Sequence, residues 1–153
     1  AKSVHVKGQV HYAVSAATDG RGLRDDLLRE LRDLAAINPE VRDTTLLVVP
    51  DAFPDFLDFN DFLGEADAAL EELDLEGILQ IAPFHPRFVF AGTLDDDITN
   101  CTNRTPYPTL HLIREESLDR AIEAFPEAED IYETNKATLR KLGLEGWKKL
   151  WQV

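Results

Sequence analysis

The hexapeptide TTLLVV, residues 44–49, carries no charge and no polar–apolar alternation. It predicts a central strand buried on both faces, the signature of a sheet that contains parallel strands. Its neighbours fit that reading. Upstream, Leu23, Leu27, Leu28, Leu31, Leu34 and Ala35 fall on one helical face, and Asn38-Pro39 ends the helix. Further upstream, Val4 to Ser15 is β-rich, and Thr18-Asp19-Gly20 supplies a turn into the helix. Downstream, Phe56, Phe59, Leu63, Ala66, Leu70 and Leu73 keep helical spacing behind Pro54. Gly77 to Ala82 reads as a third strand, Phe88 to Ala91 as a short fourth and Thr109 to Ile113 as another. Ser117 is placed to N-cap a helix carrying Leu118, Ala121, Ile122 and Phe125. Pro126 restarts the chain into a last helix that Gly143 closes.

Alternating strands and helices give an α/β fold: a single-domain mixed sheet with helices packed on it and a C-terminal helical pair. The expected domain spans residues 1–143. Residues 144–153 form an amphipathic tail, in which Trp147, Leu150 and Trp151 of WKKLW share a face.

A chain of 153 residues has room for one core, and 44% hydrophobic with 29% charged residues is ordinary for a globular protein. The net charge of −13 repels phosphate backbones and anionic membranes, so neither nucleic acid nor membrane is an expected partner. No apolar run approaches the length of a bilayer span and no signal-peptide pattern opens the chain, which makes the cytoplasm the expected location. The lone Cys101 excludes an intrachain disulfide. The chain has no methionine and starts at Ala1, which raises the expectation that a segment upstream was removed.

From Gly92 to Pro108 the chain is polar and aperiodic, and a loop of that length in a small domain is usually functional or disordered. With the turn Phe84-His85-Pro86-Arg87 and the strand that follows, it gathers a candidate site. His85 and His111 are the candidate acid–base groups. Arg104 and Arg114 offer forked hydrogen bonds to a carboxylate or phosphate. Asn100, Asn103 and Tyr107 would orient a substrate. Taken singly, each has a plainer reading as a turn former, a satisfied histidine or a surface ion pair; the clustering carries the site. Alternation puts His111 opposite Leu110 and Leu112 but Arg114 beside them, which favours Arg104 with His85 as the pair. A calcium loop fails at Asn100 and Pro106, where glycine and glutamate are needed. Neither a dinucleotide loop nor a zinc-ligand spacing is present, and the sequence names no cofactor.

Three runs, FLDFNDFL (56–63), LEGILQIAPFHPRFVFAGT (75–93) and DDDITNCTNRTPYPTLHLIREES (95–117), resemble the bacterial proteins grouped as the domain of unknown function 1415 family. The likeness extends to TTLLVVP (44–50) and IYETNKATLRKLG (131–143). His85, Asn100, Asn103, Arg104, Tyr107, His111 and Arg114 all match its pattern. The resemblance brings no activity. It implies a tryptophan-containing helix and an Asn-Leu-Cys-Pro-Phe stretch before Ala1, and it implies that alanine often stands where this chain has Cys101.

The expectation is an enzyme acting on a small anionic metabolite in a pocket made by 84–87 and 95–116. The alternatives are a non-catalytic binding or interaction module, or a metal protein using His85 and His111. The oligomeric state is not readable from these residues.

Overall fold

The computed structural model describes residues 2–152; Ala1 and Val153, the outer ends of the expected domain and tail, lie outside them. The elements in order are α1 (Lys2–Val6), β1 (Val10–Val14), α2 (Gly20–Ala36), β2 (Thr44–Val48), α3 (Phe56–Glu72), β3 (Leu79–Phe84), a 3-10 helix (Ile98–Asn103), β4 (Thr109–Arg114), α4 (Glu115–Ala124) and α5 (Ala128–Lys149). The sheet order is β1-β2-β4-β3. β1 and β2 are parallel, and β4 lies antiparallel between β2 and β3. The expected mixed α/β sheet with helices packed on it and a helical C-terminus is what the chain forms.

Register and strand alternation sort the side chains. One face carries Ala13, Thr45, Leu47, Leu79, Ile81, Leu110, Leu112 and Arg114. The apolar stripes of α2 and α3 close over it. Leu23, Leu27, Leu31 and Leu34 are fully buried there, with Phe59, Phe62 and Ala66 from α3. Burying each leucine contributes about 1.5–3 kcal/mol. Asp19 N-caps α2 by accepting from the Gly22 N–H at 2.8 Å, and Asp55 N-caps α3 by accepting from Leu57 at 2.8 Å. Pro54 therefore sits one residue before the cap.

The opposite face carries Val10, Tyr12, Val14, Thr44, Leu46, Val48, Ala82, Phe84, His111 and Ile113. Tyr12 is 58% exposed and Val14 71%. Residues 44–49 are therefore fully covered on one side and only partly covered on the other, where Thr44 is buried and Leu46 and Val48 are half-buried, against the expectation of burial on both. Other expectations are corrected locally. Residues 2–6 are helical, and the strand begins only at Val10. Phe88 to Ala91 form no strand. α4 starts at Glu115 without a side-chain cap, and the Ser117 hydroxyl donates instead to Asp43 at 2.6 Å. Gly143, at φ 68°, breaks α5 as a left-handed glycine does, but the helix resumes and runs to Lys149. Among the described residues no helix is long and apolar enough to cross a membrane.

Arg114 fastens β4 to the far end of α2. One terminal guanidinium nitrogen donates to the carbonyls of Leu34, Ile37 and Arg42 at 2.7, 2.9 and 2.9 Å. Two of these acceptors belong to the end of α2, where carbonyls lack helical partners and the helix dipole favours a cation. Arg114→Met should lower unfolding stability by about 2–4 kcal/mol, the range for stranding buried carbonyls. Arg114→Lys should recover only part of it. Urea melts of the three proteins check this; an unchanged midpoint in Arg114→Met would remove Arg114 from this role.

Candidate functional site

The predicted site residues divide between structural bonds and an open groove. His85 follows β3 and is 1% exposed, stacked among Phe56 and Phe59. Its Nδ1 accepts from the Arg87 N–H at 3.0 Å, so the ring proton lies on Nε2, which donates to the Phe53 carbonyl at 2.8 Å. Phe53 has φ 56°, a left-handed backbone that a bulky residue adopts only when its surroundings enforce it. Both ring nitrogens of His85 thus hold backbone. Burial pushes its pKa below the ordinary value, with the Phe53 bond pulling the other way.

Asn100 is fully buried. Its Oδ1 accepts from the Phe90 N–H and the Thr93 hydroxyl, and its Nδ2 donates to the Leu94 carbonyl. Asn103 Nδ2 donates to the Pro83 carbonyl at 3.1 Å, and its own carbonyl accepts from the His85 N–H. Arg104 donates to the carbonyls of Phe88 and Asp95 at 3.1 and 2.8 Å. Its charge lies 3.8 Å from the Asp95 carboxylate. Tyr107 is half exposed, and its carbonyl accepts from Thr105 and Thr109. The long loop thus carries a 3-10 helix over Ile98–Asn103, N-capped by Asp97, and is tied down by its own side chains. Cys101 is buried in it, and burial raises its thiol pKa against the pull of Arg104.

α5 packs over that 3-10 helix. In the expected tail, Trp147 and Trp151 make an edge-to-face pair at 5.4 Å and share a shallow groove with Pro86, Arg104 and Pro106. Trp147 is partly buried, whereas Leu150 and Trp151 stay exposed.

The structure joins His85 to Asn103 only through backbone, sets His85 and Arg104 along different clefts, and brings none of them to His111 or Arg114. His85 lies in the aromatic cluster of the helix-covered side, Arg114 at the end of α2, and His111 on the open face beside Phe84, its ring centroid 6.2 Å away. The alternation argument for separating His111 from Arg114 therefore holds. Among the described residues no three His, Cys, Asp or Glu side chains gather as metal ligands.

His111 sits in a second environment, a groove of about 440 Å³ between the open sheet face, α1 and α4. Its apolar walls include Val4, Val10, Tyr12, Leu46, Ile113, Leu118 and Ala121; its polar groups are His5, Asp43, Thr44, His111 and Ser117. His111 Nε2 lies 2.8 Å from Thr44 Oγ1, and Thr44 donates its hydroxyl proton to the Leu112 carbonyl at 2.5 Å. Burial pushes the His111 pKa below its ordinary value. Sequence reading named His111 but missed the groove. The available signal was the apolar alternation of Val10, Tyr12 and Val14 facing away from the helices.

The family model described as "Protein of unknown function (DUF1415)" matches residues 1–149. No curated protein and no solved structure matches the chain.

His85→Ala strands the Phe53 carbonyl and the Arg87 N–H and leaves a cavity, so it should lower stability by about 3 kcal/mol or more. His85, which is buried, and His111, which is half-buried, both have folded pKa values below the ordinary 6.5. The unfolded chain therefore binds protons first. The stability they confer is full above pH 6.5 and is lost as pH falls through the lower folded values. Denaturant midpoints measured from pH 8 to pH 4 check the sign. A midpoint that rises on acidification through that range would contradict it.

Proposed function

Because the chain belongs to the DUF1415 family, a family of unknown function, we propose its function from its own geometry: it is a binding domain for a small molecule. The seat is the groove between the open sheet face, α1 and α4. One observation carries this reading. The groove joins an apolar wall to a few convergent polar groups in a bounded volume of about 440 Å³, within the range that small-ligand sites occupy.

The other candidate pocket, an anion site at 84–87 and 95–116, has its chemistry engaged elsewhere. His85, Asn100, Asn103 and Arg104 donate to or accept from the backbone, and Arg104 faces a carboxylate. An incoming anion would have to displace those bonds, and the net charge of −13 opposes its approach. A non-catalytic binding role is therefore better supported than acid–base catalysis at His85, and a metal held by His85 and His111 together lacks a shared site.

The test is a titration of the protein with 4-propylanisole followed by amide NMR shifts. Shifts should concentrate at Val10, Leu46, His111, Ile113, Leu118 and Ala121. Ala121→Trp, which fills the groove, should abolish them while leaving the melting temperature within a few degrees. Shifts centred instead on residues 84–108 would move the site to the loop and overturn this reading.

A further inference from the structure

The proton inventory at Thr44 fixes which nitrogen of His111 is available. A threonine hydroxyl has one proton. The Leu112 carbonyl can only accept, and at 2.5 Å from Thr44 Oγ1 it must receive that proton. Oγ1 can then meet His111 Nε2 at 2.8 Å only as an acceptor. The ring proton is therefore on Nε2, and Nδ1 keeps its lone pair. Among the described residues Nδ1 has no hydrogen-bond partner, and the ring lines the groove. Burial lowers the ring's affinity for a second proton, so it stays neutral at pH 7.

We infer that His111 Nδ1 is a fixed hydrogen-bond acceptor in the groove, selecting a neutral ligand with an apolar body and one O–H or N–H donor. The inference rests on the groove being the binding seat. Three observations define the ligand's chemistry. Leu46, Ile113 and Leu118 give the body an apolar wall. The second strong polar group, Asp43, is also an acceptor and already takes the Ser117 hydroxyl. A carboxylate or phosphate would face Asp43 and a bare imidazole nitrogen, and among the described residues no lysine or arginine lines the groove to offset them. Donor-bearing neutral molecules meet none of these penalties. Thr44 is a positioning residue: it holds the tautomer through Nε2 and is itself held by Leu112.

A matched pair of probes separates the donor from the apolar body. 4-Propylphenol and 4-propylanisole share ring and chain, and only the phenol donates. By NMR titration at pH 7 the phenol should bind about tenfold more tightly, the factor that one well-made hydrogen bond contributes. His111→Phe should keep anisole binding and remove the phenol's advantage. Thr44→Val, which frees the tautomer, should shrink that advantage. Long-range proton–nitrogen spectra of the unliganded protein should show His111 protonated at Nε2. Equal binding of the two probes, or a proton on Nδ1, overturns the acceptor assignment with the groove still standing. Failure of both probes to shift the groove amides overturns the groove reading itself, and the assignment with it.

Discussion

The connection between parallel strands turns almost always to the right, because a right-twisted strand leading into a right-handed helix packs back on its sheet only that way. Here that constraint acts twice in one direction. The sheet order β1-β2-β4-β3 shows β1 to β2 and β2 to β3 stepping the same way across the sheet. Both crossover helices, α2 and α3, therefore land on one face and pack against each other and the same leucine core. β4 fills the gap between β2 and β3 and divides its own residues. Leu110 and Leu112 join the core, and His111 and Ile113 face the open side. The apolar open face, and the groove on it, follow from this topology.

A second constraint shapes the other half of the molecule. A 17-residue segment from Gly92 to Pro108 has few ladder partners for its backbone groups, yet it crosses the end of the domain beneath α5. Buried carbonyls and N–H groups need partners. Asn100, Asn103, Arg104, Thr93 and Thr105 supply them. Arg114 does the same for the carbonyls around the end of α2. Hydrogen-bonding capacity that would suit a ligand is consumed in making an irregular segment into a rigid one. His85 belongs to the same system, because its Nε2–H holds Phe53 in a backbone conformation a phenylalanine rarely adopts.

Several of these features were legible in the sequence. The helix over α2 was readable because its leucines repeat at the helical period, and burial of Leu23, Leu27, Leu31 and Leu34 follows that period. The separation of His111 from Arg114 was readable because strand alternation is a local property of the chain. The candidate site was less legible. A ligand and a buried carbonyl make the same demand on an asparagine or arginine, and composition cannot tell them apart. Asn100 satisfies three backbone or hydroxyl groups within ten residues of itself, which no spacing rule announces. Ser117 looked like a helix cap because its hydroxyl can serve one, but Asp43, 74 residues away, takes that hydroxyl instead.

The sequence by itself determined the elements: the α/β alternation, the apolar stripes of α2 and α3, the uncharged strand at 44–48 and the place where polar groups collect. These depend on periodicity and local chemistry, which act over a few residues. Only the tertiary structure decided that β4 enters between β2 and β3, that both crossovers cover the same face, and that His111 meets Thr44 across the sheet. Those outcomes depend on contacts between residues far apart in the chain, as in the Thr44–His111 bond across 67 positions, and the bonding partner fixes which nitrogen of the ring carries the proton.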